Sequence, residues 1–191
     1  MDTQQFFREA LGISDPELIA HMDMLGEMVL LQKDQVLFLQ DEIPDRIALL
    51  AEGIMLGLAI TENGREVVDC IAFRKGDAVM PSSNLQQASP VQMRALTPCK
   101  VFVFPIAALE QLVHRYPQAL NFYTAQLTAA YERHWTMKMV IGQYRARERY
   151  EWFLKEFAPC ASEIPIHYIA SFLNIAPGSL SRIRREMLDE A

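Results

Sequence analysis

Cysteine is scarce in this chain. Cys70, Cys99 and Cys160 are odd in number and far apart, which excludes both a disulfide framework and a paired-cysteine metal site. Histidine is almost as sparse. None of His21, His114, His134 and His167 falls in a stretch that reads as a strand, so a cupin-like metalloenzyme has no ligand set. No serine–histidine–aspartate, paired-carboxylate or phosphate-loop pattern stands out, and the reading is that the protein is not an enzyme and needs no cofactor or metal. Long apolar runs are missing too. The stretch from Ile47 to Ile60 is the greasiest, but Glu52, Gly53 and Gly57 interrupt it, so no membrane span is expected. The first residues, MDTQQFFREA, lack the basic-then-apolar pattern of a secretory leader, and the expected location is the cytoplasm. Basic charge is also in deficit. The net charge is −6, unlike a protein coated in nucleic acid.

What is present begins near the end of the chain. Residues 145–191 balance seven basic against seven acidic side chains, so the whole deficit lies before them. Within this neutral part, Ile164 to Leu188 reads as two short helices and a tight turn. Pro165 suits a first helical turn. Ile166, Ile169 and Leu173 form one apolar stripe, and Ala170 is small enough for two helices to cross closely. Asn174 tolerates the left-handed conformation that ends a helix. Pro177 opens a second helix, with Leu180, Ile183 and Met187 as its stripe. Its opposite face carries Gly178, Arg182 and Arg185, with Ser179, Ser181 and Arg184 beside them. A helix entering a major groove needs such hydroxyls and guanidinium groups. A solvated polar face with arginines placed late to suit the helix dipole reads the same way.

The run Ile-Ala-x-x-Leu-Asn-Ile…Ser-Leu-Ser-Arg-Ile resembles the winged helix-turn-helix of the Crp/Fnr family of bacterial transcription regulators. The resemblance implies that Pro177, Gly178, Ser179 and Arg182 face bases, that Ser181, Arg184 and Arg185 lie at groove or phosphate, and that His167 touches backbone phosphate. Two departures stand out. Gly178 replaces an acidic residue of the best-known members, so base preference does not transfer. Ala176 replaces the usual capping Ser or Thr.

From Met28 to Pro105 the texture is of short strands: 29–31, 36–39, 47–50, 55–60, 67–73, 91–95 and 101–104 are apolar or alternating. Turn residues separate them, and Asn63-Gly64 is a hairpin signal. The spacing suggests a β-sandwich or roll. The layout resembles the cyclic-nucleotide-binding roll of the same family. Gly76-Asp77, Arg94-Ala95-Leu96-Thr97 and Cys99-Lys100-Val101 match its motifs. The family's nucleotide-binding Gly-Glu-Leu turn reads Met80-Pro81-Ser82 here, and its phosphate-pairing arginine falls near Ser89-Pro90. Proline has no N–H and serine no charge, so cyclic nucleotide is not expected to bind in the family's manner. Ser82, Ser83, Asn84, Arg94, His134 and Trp135 are the candidate lining of a pocket for some other effector. Ser82 to Asn84 read equally as an ordinary polar loop.

The chain starts with helical segments around Phe6, Phe7 and Leu11, then around Leu18, Met22 and Leu25, with Ser14 as cap and Pro16 just inside. A long helix follows the roll, from Gln118 to about Ile141. Leu120, Leu127, His134 and Ile141, with Tyr123, Ala130 and Met137, repeat as a coiled-coil seam. In the family this helix makes the dimer, which implies a homodimer. Gly142 and Gln143 read as a hinge. Arg145, Arg147 and Arg149 open a further amphipathic helix and are additional candidates for phosphate.

The expected fold is α+β. It has an N-terminal double-stranded β-helix (a jelly-roll-like β-roll), a long dimerisation helix, and a C-terminal helical helix-turn-helix domain. The expected boundaries are 1–115 for the roll sensor, 116–142 for the dimerisation helix and hinge, and 143–191 for the DNA-binding part. The function read from this is sequence-specific DNA binding as a homodimer, with double-stranded DNA and RNA polymerase as partners. The alternative is a ligand-binding or protein-interaction roll that does not read DNA.

Overall fold

A computed structural model describes residues 3–80, 82 and 84–190. Two helices open the chain, α1 (Thr3–Leu11) and α2 (Pro16–Leu25). Asp15, not Ser14, caps α2: its carboxylate accepts the amides of Glu17 and Leu18 at 2.9 and 3.2 Å. Asp outcompetes Ser here because an ionised oxygen makes the stronger bond at a positive helix end.

Eight strands follow: β1 (Glu27–Leu31), β2 (Val36–Phe38), β3 (Arg46–Glu52), β4 (Met55–Ile60), β5 (Glu66–Ala72), β6 (Ala78–Val79), β7 (Gln92–Ala95) and β8 (Cys99–Pro105). They make two antiparallel sheets, ordered β1-β8-β3-β6 and β2-β7-β4-β5. The Asn63-Gly64 signal is met by the β4–β5 hairpin, where Gly64 takes a φ of 73° that favours glycine.

The strands carry apolar residues on both faces, because both faces are covered. Between the sheets lie Ala48, Leu50, Met55, Val79, Met93 and Val101. The outer face of the first sheet presents Ile47, Leu49, Phe102 and Phe104 to α1, α2 and the helix after β8, α3 (Ile106–Arg115). The outer face of the second presents Leu56, Leu58, Val68 and Ile71 to the C-terminal helices. The result is four layers: helices, sheet, sheet, helices.

The last helices are α4 (Pro117–Gln143), α5 (Ala146–Glu156), α6 (Ile166–Phe172) and α7 (Pro177–Asp189). This is the α+β architecture expected: an antiparallel jelly-roll-like roll, a long helix and a C-terminal helical part. No strand accompanies α5, α6 and α7 among the described residues, so the wing of a winged helix-turn-helix is missing from them. Gly142 lies inside α4 rather than at a break. The chain turns at Tyr144, whose extended backbone separates α4 from α5.

Candidate nucleic-acid interface and sensor cavity

The pair α6–α7 is built as the stripes suggest. Ile169, Ala170 and Leu173 are buried against Leu180 and Ile183, and Asn174 ends α6 with a φ of 52°. Pro177 starts α7, and Ala176 offers no side-chain cap. The outer face of α7 is open to solvent: Gly178, Ser181, Arg182, Arg184 and Arg185 are exposed, as is Pro177 at its start, while Ser179 is half-buried. Among the described residues, Arg182 is held by a loose pair with Glu186 at 3.7 Å. Ser181 donates its hydroxyl to the carbonyl of Pro177 at 3.0 Å. His167 is exposed on α6, its ring against Tyr168. Three unburied guanidinium groups on one helix, backed by a rigid apolar face, can engage an anionic surface without displacing any core residue.

Of the arginines that open α5, two are otherwise engaged. Arg147 pairs with Glu151 at 3.0 Å and with Glu190. Arg149 turns inward. Its guanidinium donates to the carbonyls of Ile141 (2.7 Å) and Tyr144 (2.9 Å) at the end of α4, and of Leu173 and Asn174 (both 3.2 Å) at the end of α6. A cation is favoured where two helix C-termini converge. Neither side chain is free for phosphate, and the expected hinge is therefore clamped.

A second set of polar contacts ties α6 to the roll. Arg94 grips Glu66 with two bonds, 2.6 and 2.7 Å, and bonds the Tyr168 hydroxyl at 2.7 Å. The backbone amide of Val68 donates to Ser171 Oγ at 3.0 Å. The Arg94 hydrogen bonds hold the Glu66 carboxyl below its ordinary value, and burial raises the Tyr168 hydroxyl.

A cavity of about 930 Å³ opens between the second sheet, α4 and α5. Its walls include Asp69, Cys70, Asp77, Ser82, Arg133, His134 and Trp152. Burial pushes the Cys70 thiol up to about 12, so it is neutral at pH 7. Gly76 approaches α1 with a φ of 92°, and this turn delivers Asp77 to the cavity wall.

The expected pocket residues divide. Ser82 and His134 line the cavity. Asn84 is exposed and outside the lining, Arg94 is committed to Glu66, and Trp135 stacks on Tyr131 on the free side of α4. Ser83 lies outside the described residues. The sequence reading missed Asp69, Asp77 as a wall residue, Arg133 and Trp152. Only the Gly76-Asp77 turn pointed toward any of them.

The seam residues of α4 fall in two settings. Leu127, Ala130 and Met137 are half-buried and border the cavity. The exposed apolar side chains of α4 are Leu120, Tyr131, Trp135 and Met139.

Residues 23–116 match the family model of the cyclic nucleotide-binding domain. The chain as a whole has the Crp/Fnr fold. It is similar to FixK2 from Bradyrhizobium japonicum (16% identity, TM-score 0.77, covering 86% of this chain and 85% of that one). It is also similar to CLP of Xanthomonas campestris, a c-di-GMP responsive global regulator (14%, 0.71, 92% and 93%). A third is a transcriptional regulator of the CRP family from Thermus thermophilus (16%, 0.68, 85% of each). No curated protein matches the chain.

Proposed function

We propose that the protein is a DNA-binding transcription regulator of the Crp/Fnr type, not an enzyme, acting in the bacterial cytoplasm. It binds double-stranded DNA as a homodimer and works on RNA polymerase. Residues 1–115 serve as sensor, 116–142 as dimerisation helix and 143–191 as DNA-binding part. Pro177, Gly178, Ser179 and Arg182 address bases, while His167, Ser181, Arg184 and Arg185 address the groove edge and phosphates. The observation that carries the reading is the outer face of α7, where Arg182 and Arg185 stand in solvent over a buried Leu180–Ile183 stripe. The Crp/Fnr fold of the regulators named above supports it. Among the described residues no helix is long and apolar enough to cross a membrane.

The cavity is the effector site in this reading. It is poorly equipped for cyclic nucleotide: among the described residues its wall has two arginines, of which Arg74 is bonded to Glu156 and Arg133 faces Asp77 at 3.8 Å. A buried phosphodiester without a cationic partner is costly.

The test is a shift assay on selected promoter fragments at fixed salt. Arg182→Ala is expected to cost about 1–3 kcal/mol of binding to the preferred site and to relax base preference there. Absence of any binding by the parent protein at low salt would instead favour a roll that does not read DNA.

A further inference from the structure

The cavity between the roll and α4 has a sign. Asp69, Asp77, Glu132 and Glu156 line it, against Arg74 and Arg133. Arg74 is engaged: it bonds Glu156 at 2.5 Å and lies over the Phe73 ring. Arg133 reaches Asp77 only at 3.8 Å. Two carboxylates are therefore in excess, and Asp69 and Glu132 stand exposed at the mouth.

Asp77 is the telling residue. It is buried, with 9% exposure. Its Oδ2 accepts the amides of Phe73 and Arg74 at 3.1 and 2.9 Å. Its Oδ1 accepts no hydrogen bond from any described residue and has only the distant guanidinium of Arg133. A carboxylate oxygen has two acceptor sites, so Oδ1 keeps room for a donor from the cavity side. The remaining wall is soft and partly aromatic, with Met80, Met93, Met137, Trp152 and Phe157. Aromatic faces attract cations, and methionine adapts to varied apolar shapes.

We propose that the cavity binds a hydrophobic cation, an aromatic or alkyl body bearing one positive charge, which meets Asp77 Oδ1 in place of Arg133. This rests on the cavity's reading as the effector site and names the effector's chemistry. The excess negative charge repels an anion such as a cyclic nucleotide. The ligand competes with Arg133, so its arrival releases the ion pair that ties α4 to the roll. Trp152 of α5 lines the same cavity, so the change is felt by the helices that carry α7.

Tetraphenylphosphonium and tetraphenylborate are near-identical in shape and opposite in charge, and they separate sign from greasiness. Binding to the full chain is measured by calorimetry and by the ¹³C-methyl signals of Met80, Met93 and Met137. The phosphonium is expected to bind at least about tenfold more tightly than the borate and to shift those methyls. Arg133→Ala, which removes the competitor, is expected to tighten phosphonium binding. Asp69→Asn with Glu132→Gln, both at exposed positions, is expected to weaken it. Equal or tighter binding of the borate overturns the proposal, as does phosphonium binding that leaves the three methyls unmoved. The shift assay run in parallel keeps the two readings apart. Lost charge selectivity with intact DNA binding overturns only the cavity proposal. Charge selectivity without DNA binding upholds the cavity chemistry and overturns the regulator reading.

Discussion

Glu66 shows how one carboxyl joins three elements. It sits on β5, accepts both arms of Arg94 on β7, and with it holds Tyr168 of α6. The Arg94 hydrogen bonds lower its pKa from 4.5. A group held lower in the folded chain stabilises it when ionised. The contribution is therefore complete above about 4.5 and disappears as pH falls through the folded value. Glu66→Gln is expected to lower stability at pH 7, and the gap from the parent should close below about pH 4.5. Urea titrations across pH 3 to 7 read this directly. A gap that keeps its full size from pH 7 down to pH 3 would assign the loss to shape rather than charge. Arg149 makes a similar point about what a sequence conveys. Its position at the start of a helix was visible, but the four carbonyls it meets come from residues 141, 144, 173 and 174. Only the folded chain brings them together.

Helix α4 carries apolar residues that answer to two partners. Leu127, Ala130 and Met137 close the cavity, while Tyr131 and Trp135 stack on each other in solvent at 6.5 Å between ring centroids. Periodicity reports that a residue is apolar, not which neighbour covers it, and so the heptad pattern alone does not say which side of α4 meets a partner. If the exposed side is the dimer surface, Tyr131→Glu with Trp135→Glu should give monomers in sedimentation velocity at micromolar concentration. The parent should sediment as a dimer. An unchanged dimer would place the contact elsewhere. Elements whose burial is one-sided or complete were easier to read. All seven apolar runs appear as strands, whereas β6, with only Ala78 and Val79, is too short to show a pattern. The outer face of α7 was legible because polar and apolar residues alternate at helical spacing. The cavity was not, because its walls come from β5, β7, α4 and α5 at once.

The C-terminal helices are not a separate body hung on the roll. Leu56, Leu58, Val68 and Ile71 of the second sheet share one apolar cluster with Phe153, Ile169, Leu180 and Ile183. Leu180 is fully buried in it. Leu180→Ala is expected to destabilise by about 2–5 kcal/mol. Tryptophan fluorescence and far-ultraviolet circular dichroism should then lose the roll and the helices in one transition. Two separated transitions would mean that the shared cluster does not couple them. This cluster also bears on how the protein is made. The last roll strand ends at Pro105, yet the side chains that cover the second sheet are not complete until Ile183. At translation speeds of about 5–20 residues per second, the ribosome needs roughly 4–16 s to supply them. Throughout that interval the nascent roll shows water a greasy flank, and chaperones that grip such surfaces have a natural client in the half-made chain.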